Sequence, residues 1–185
     1  MDKILIKAIE DYNDEIIQRD LLELLVISDK EFVPALSSRE STTQTNLLGD
    51  NNNKNSETKI PYSYFNNLLN QEIIVAIEDD KLAGFMSFKT NYVCDNIKEE
   101  FLPNVYVSTV IVNPNFRGRG ITKLFYKFIN SNYQGYHIFT RTWSTNIGHL
   151  KILKSLGFNQ TLLIKDDRGE GIDTVYYHCD INNKL

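Results

Sequence analysis

The chain has 185 residues, 42% of them hydrophobic, with 24 acidic against 20 basic side chains and a formal net charge of −4. That length fits one α/β domain with a sizeable core and is short for two. A weakly acidic chain has no electrostatic footprint for bulk nucleic acid or an anionic membrane surface, and no apolar run approaches bilayer-spanning length.

The first residues alternate and carry charge, so no signal peptide is expected there and a cytoplasmic protein is predicted. Cys94 and Cys179 lie far apart without Cys-x-x-Cys spacing, so ordinary reduced thiols are expected. His178 adjoins Cys179, but strand neighbours point to opposite faces, and no metal site is expected.

Residues 4–10 predict a first strand. Asn13 or Asp14 is placed to cap a helix whose core stripe is Ile16, Ile17, Leu21, Leu24 and Leu25. An irregular piece broken by Pro34 follows. From about residue 37 to 59 the chain turns polar and rich in Asn, Ser and Thr. Such a stretch buries too little apolar surface to offset its ordering entropy. The Asn-rich part of about 40–60 is expected to be mobile, and residues 32–43 to fold over a binding site. Pro61 suits the first turn of a short helix. Residues 72–78 and 82–89 form a hairpin across an acidic turn. Residues 91–103 read either as one helical turn or as a loop.

The stretch 106–125 organises the rest. Tyr106, Val107, Val110, Ile111 and Val112 have the composition of a strand buried on both faces. Leu124, Phe125, Phe128 and Ile129 then recur at helical spacing. Between them, Gly118 and Gly120 mark a sharp turn at a helix N-terminus, where unpaired N–H groups and the helix dipole favour a phosphate. Arg117, Arg119 and Lys123 suit a small anion rather than a polymer. A strand at 136–143 follows, then a helix from Thr145 or Asn146 with Leu150, Ile152, Leu153 and Leu156 inward, ended by Gly157. A final hairpin spans 158–165 and 172–180. The order β-α-α-β-β-β-α-β-α-β-β predicts an α/β (α+β) fold.

The segment from Val112 through Asn113, Pro114, Asn115, Phe116, Arg117, Gly118, Arg119, Gly120 and Ile121 to Thr122 resembles the pyrophosphate loop of the GNAT N-acetyltransferase superfamily. The family pattern there is (Gln/Arg)-x-x-Gly-x-(Gly/Ala) after a Val-x-Pro strand end. Arg117 and Gly120 match it, and Thr122 departs from the usual Gly or Ala. The segment 146–158 is similar to the family's Asn-x-x-(Ala/Ser)-x-x-x-Tyr-x-x-x-Gly-Phe, with Asn146, Gly157 and Phe158 in register. The resemblance covers most of the chain from Glu72 onward.

It implies a GNAT fold over 1–185 as a single acyltransferase domain: a mixed, mostly antiparallel sheet of six to seven strands flanked by about four helices. It implies acetyl-CoA as cosubstrate, with the backbone of Val110, Ile111 and Val112 on the pantetheine arm. N–H groups of Arg117, Gly118, Arg119, Gly120, Ile121 and Thr122 would hold the pyrophosphate. Asn146 would contact pantetheine while also serving as a helix N-cap. The implied activity is acetyl transfer to a primary amine of a small molecule or peptide by direct attack, with a strand N–H near Ile111 polarising the carbonyl. Monomer and homodimer are both open.

The departures concern catalysis. The family's thiolate-protonating tyrosine falls at Leu153, which has no proton to donate. His149, one turn earlier, is either a general acid or base near neutral pH or a helix histidine with no chemistry. The family's strand glutamate falls near Ser108, a poor general base. These gaps motivate an alternative, a non-catalytic acyl-CoA sensor on the same fold. A nucleotide-hydrolysing P-loop is disfavoured, since no Gly-Lys-(Ser/Thr) follows the glycines. On the acceptor side the candidates are Glu31, Ser37, Arg39, residues 140–143 and Asp173. Of these, Glu31 and Arg39 are expected to be solvated, Trp143 to pack, and Asp173 to open a strand.

Overall fold

The computed structural model describes residues 4–45, 47 and 60–180. Most of the polar stretch expected to be mobile lies outside these residues. The strands are β1 (Leu5–Ala8), β2 (Glu72–Glu78), β3 (Lys81–Thr90), β4 (Asn104–Val112), β5 (His137–Trp143), β6 (Asn159–Ile164) and β7 (Thr174–Asp180). The α-helices are α1 (Glu15–Ser28), α2 (Tyr62–Leu68), α3 (Ile121–Asn132) and α4 (Ile147–Ser155).

The strands form one sheet in the order β1-β2-β3-β4-β5-β7-β6. Among these seven strands only β4 and β5 pair parallel. A parallel pair needs a crossover, and α3 provides it. Alternate residues of β2 go to opposite faces. Ile74 and Ala76 join a cluster with Phe125, Ile129 and Leu153 of α3 and α4. Ile73 and Val75 join Leu21, Leu25 and Leu68 of α1 and α2. The sheet is therefore covered on both faces, as its apolar strands require.

The Asp14 carboxylate caps α1 by accepting from Ile16 N and Ile17 N. Ile16, expected in the core stripe, is 61% exposed. The buried positions Leu21, Leu24, Leu25 and Ser28 follow the 3-4 spacing from Ile17, and Ile16 falls one residue off that line. Residues 91–103 form a loop with a Cys94–Ile97 bridge and a single 3-10 turn, Glu99–Phe101, whose Phe101 packs edge-on against Phe139.

Two features of β4 position the site. First, its pairing with β3 steps from Ser87↔Thr109 to Phe88↔Val107, which leaves Ser108 as a bulged extra residue. Second, the ladder to β5 runs from Asn104↔His137 only to Val107↔Thr140. Beyond it β4 continues to Val112 and β5 to Trp143 as parted strands. A cleft opens along the freed end of β4.

Candidate active site

The cleft encloses about 470 Å³ and is walled by Val110 to Val112 of β4, the loop and first turn leading into α3, and Asn146, Gly148, His149 and Ile152 of α4. Asn113 N donates to Ala83 O of β3 at 2.9 Å. Peptide orientation alternates along a strand, so Ile111 also turns its N–H toward β3, while Val110 and Val112 turn theirs to the open edge. The cleft-facing amides are thus those of Val110 and Val112, a correction to the expectation for Ile111.

At the end of β4, Asn113 Oδ1 accepts from Asn115 N at 3.0 Å and sets up the turn Pro114–Phe116. Gly118 and Gly120 then both take φ +78°, a left-handed conformation that costs any other residue about 1–2 kcal/mol. The first helical bond here is Leu124 N to Gly120 O at 3.1 Å. Among the described residues, the amides from Gly118 through Lys123 have no acceptor. They crown the N-terminus of α3, where the helix dipole adds positive potential. This arrangement suits an anion held by backbone.

The basic side chains nearby act differently from expectation. Arg117 donates from Nε to Val112 O at 3.0 Å and pairs through Nη2 with Glu31 at 2.7 Å. Glu31 is therefore not a free solvated carboxylate but one side of an ion pair, both members lining the cleft. Arg119 pairs with Glu78 and lies over the Phe116 ring. Two of the three expected cations are thus already matched by carboxylates, and the backbone carries the pull on an anion. Ile121 and Thr122 line the cleft from the first turn of α3.

In α4, Asn146 Oδ1 accepts from His149 N at 3.3 Å as the N-cap, and its Nδ2 donates to Thr142 Oγ1 at 3.1 Å. His149 lines the cleft half-buried, with Nε2 3.2 Å from the Tyr126 hydroxyl of α3. Burial holds its imidazole down to about 4, so it is neutral at pH 7. Burial likewise pushes the Tyr126 phenol well up. Leu153, at the family's tyrosine position, is wholly buried in the core. Ser108 is absent from the cleft wall. Its hydroxyl donates to Gln71 Oε1 at 2.6 Å and meets Ser87 Oγ at 2.8 Å.

On the acceptor side, Arg39 is 7% exposed, contrary to the solvated-loop expectation. Ser37 donates from backbone and hydroxyl to the Asp29 carboxylate. Trp143 does pack, 5.4 Å from the Phe32 ring, and Phe32 itself lines the cleft. Asp173 accepts from Asp166 N at 3.0 Å and its carbonyl from Ser144 N, which shapes the hairpin loop. Residues missed from sequence are Tyr126, hidden in an ordinary apolar helix stripe, and Arg168, read only as part of a turn; Arg141 falls within the acceptor-side candidates 140–143. At the other end of β5, His137 and His178 meet Asp180 at 2.5 and 3.3 Å. This group arises from β5–β7 register, which sequence spacing does not reveal.

A family model described as the acetyltransferase (GNAT) family matches residues 41–158, well over half of the chain. The chain belongs to the GNAT acetyltransferase family. The crystal structure of the aminoglycoside 6'-N-acetyltransferase from Enterococcus faecium superposes with a TM-score of 0.67 at 12% identity, covering 96% of this chain and 97% of that one. An N-acetyltransferase from Staphylococcus aureus Mu50 gives 0.62 at 13% identity, covering 97% and 99%. An aminoglycoside 6'-N-acetyltransferase complexed with coenzyme A gives 0.65 at 12%, covering 96% and 97%. At these identities the likeness is one of fold. No curated protein matches by sequence. Within this GNAT fold the parted β4 and β5 lie beside the glycine loop, and among the described residues no helix is long and apolar enough to cross a membrane.

Proposed function

We propose that the chain, as one domain over 1–185, transfers the acetyl group of acetyl-CoA to a primary amine of a small molecule or peptide. The observation that carries this reading is the run of amides from Gly118 through Lys123, without acceptors among the described residues, at the mouth of the cleft beside β4. These amides hold the pyrophosphate. The cleft-facing peptide groups of Val110 and Val112 hold the pantetheine arm as an added strand would, and Asn146 lies alongside it. The two unpaired cysteines accord with a reducing, cytoplasmic setting.

The acetyl carbonyl is polarised by the Val110 N–H, and the neutral amine attacks its carbon. The carbon–sulfur bond then breaks, the electron pair leaves on the CoA sulfur, and the proton shed by the new amide nitrogen ends on that thiolate through water. No covalent enzyme intermediate is needed. Positioning and carbonyl polarisation contribute several kcal/mol in such a reaction. His149, neutral at pH 7, cannot serve as an imidazolium donor. Its part is to wall the cleft with Tyr126 behind it. Ser108, engaged by Gln71 and Ser87, is left outside the catalytic set.

Calorimetric titration with acetyl-CoA, followed by a thiol-reagent assay for CoA release across a panel of amines, tests the reading. Micromolar binding with amine-dependent release is expected. Binding without release by any amine would favour the acyl-CoA sensor, and no binding by folded protein would exclude both.

A further inference from the structure

Beside the cleft wall lies a group of three arginines, two buried and Arg141 half-buried, that the acetyl-CoA site does not use. Arg39 is 7% and Arg168 6% exposed. Arg141 follows Thr140, the last β5 residue paired with β4, so it stands where the two strands part. Two of the guanidinium groups, those of Arg39 and Arg168, lie over aromatic rings that reach the cleft wall. Arg39 lies 5.5 Å from the ring of Phe32, and Arg168 lies 5.6 Å from the ring of Trp143. Those two rings are 5.4 Å apart, and Phe32 is part of the cleft wall.

Buried arginines are ordinarily matched by carboxylates, because an unmatched charge in a low-dielectric interior is costly. Among the described residues, none of these three has a carboxylate within ion-pair distance. Their acceptors are neutral. Arg39 donates from Nε and Nη2 to Pro34 O at 3.0 and 2.7 Å. Arg168 donates from Nη1 to Val33 O at 2.6 Å and from Nε to Thr174 Oγ1 at 2.9 Å. Arg141 donates to Gln44 O and reaches the Tyr176 hydroxyl at 3.5 Å. Arg39 Nη1 and Arg168 Nη2 are left with no acceptor among the described residues. Burial and the charges of Arg39 and Arg141 push Arg168 down to about 9, and burial with the Arg141 charge also lowers Arg39. The backbone carbonyls aim and hold the guanidinium groups while leaving their charge unneutralised.

We propose that Arg39, Arg141 and Arg168 form the anion subsite of the acceptor, and that the amine acetylated by this protein carries a carboxylate. This rests on the acetyltransferase reading and adds the substrate class to it. A carboxylate is chosen because planar guanidinium forks match it bidentately, and three of them beside an apolar Phe32–Trp143 wall suit an amino acid or a short peptide terminus. The same charges repel polycationic amines.

The test has two arms, each on the full chain. In the first, thermal unfolding is followed without acetyl-CoA in the presence of the common L-amino acids, their carboxamides, or spermidine. In the second, CoA release is measured with the same compounds. At least one free acid is expected to raise Tm, while its carboxamide and spermidine do not. That acid should exceed its carboxamide in kcat/KM by tenfold or more. Arg168→Gln should raise KM for the acid by tenfold or more, leave KM for acetyl-CoA unchanged, and reduce the acid-to-carboxamide ratio toward one. Should Arg168→Gln fail to fold, the wild-type ratio decides alone. CoA release that is equal for acids and carboxamides, or greatest for spermidine, would overturn the subsite while leaving the transferase intact. Acid-selective stabilisation with no CoA release would keep the subsite and overturn the transferase reading. No acid-selective response in either arm overturns the proposal.

Discussion

Replacing Gly120 separates two effects that a single variant would confuse. Gly120 sits at φ +78°, and a β-carbon built there meets nothing within 4 Å. Gly120→Ala therefore costs only the left-handed penalty, about 1–2 kcal/mol, with no clash. Gly120→Glu carries the same penalty and adds one negative charge at the cradle. If the pyrophosphate rests on the Gly118–Lys123 amides, that charge stands about 4–6 Å from it. At an effective dielectric near 20, the repulsion is on the order of 2–4 kcal/mol per unit charge. The two variants should thus show nearly equal urea midpoints, both below wild type. By calorimetry, Gly120→Glu should bind acetyl-CoA about 30- to 1,000-fold more weakly than Gly120→Ala. Raising the salt concentration should narrow the gap, because part of the repulsion is screened. Binding of the two variants within threefold of each other would refute the placement of the phosphates at this loop, whatever either variant does relative to wild type.

Other perturbations probe the walls of the cleft. In Gly84→Ala, the new β-carbon would lie 2.6 Å from Ile111 O and 3.1 Å from Val112 Cα, so β3 and β4 must separate. We expect a loss of about 1–3 kcal/mol in urea unfolding and weaker acetyl-CoA binding, and an unchanged midpoint would show that β4 yields freely. Leu153→Tyr restores the family's residue at a site that is wholly enclosed. It should cost about 1–3 kcal/mol through overpacking and an unmatched hydroxyl, with no gain in CoA release, and a faster, equally stable variant would place residue 153 at the cleft. His149, held down to about 4 in the folded chain against 6.5 unfolded, binds fewer protons folded than unfolded between those values. Stability should be level above about pH 6.5 and fall as pH drops toward 4. The fall should be about 1–2 kcal/mol after discounting for the ring's partial contact with the open cleft. His149→Gln should flatten this part of the profile, and identical slopes for the two proteins would remove His149 as the cause.

The elements legible in the sequence were those with strong local signals. The β4–loop–α3 unit was found from an apolar strand, two glycines and a helical stripe, and the structure keeps all three. Asn146 was read as a cap and caps. Ion pairing was less legible, because Glu31 and Arg117 are 86 residues apart and Glu78 and Arg119 41. Only the fold decides that these charges cancel. Arg39 reads as solvated for a related reason. Its flanking serines and Glu40 look like a solvated loop, yet the chain turns so that the guanidinium reaches Pro34 O under Phe32. Arg168 lies in an Asp-Asp-Arg-Gly-Glu-Gly turn of the most exposed composition, and it is buried because it reaches Val33 O from across the molecule. The orientation of Val110 against Ile111 depends on the Ser108 bulge, which shifts the pairing of β4 by one residue and cannot be counted from composition.

That bulge and the end of the β4–β5 ladder have a common consequence. Once β5 leaves β4 after Thr140, the strand edge from Val110 to Val112 has peptide groups with no neighbouring strand, a state that sheets ordinarily avoid by covering the edge. A ligand with amides of its own relieves it by pairing as a strand would. The same parting leaves Arg141, half-buried, next to the end of the ladder, close enough to Arg39 and Arg168 for their charges to act on one another. An acyl donor on the strand edge and a carboxylate on the arginines would approach the parting point from two directions, and the carbonyl and the amine would meet there. Among the described residues at the family's acid and base positions, Leu153 is aliphatic and enclosed and Ser108 is engaged, and His149 one turn away is neutral at pH 7. Catalysis then rests on how well the two ends are held. A thiolate leaves without assistance more readily than an alkoxide or amide would, so holding the reactants is where such a protein gains most.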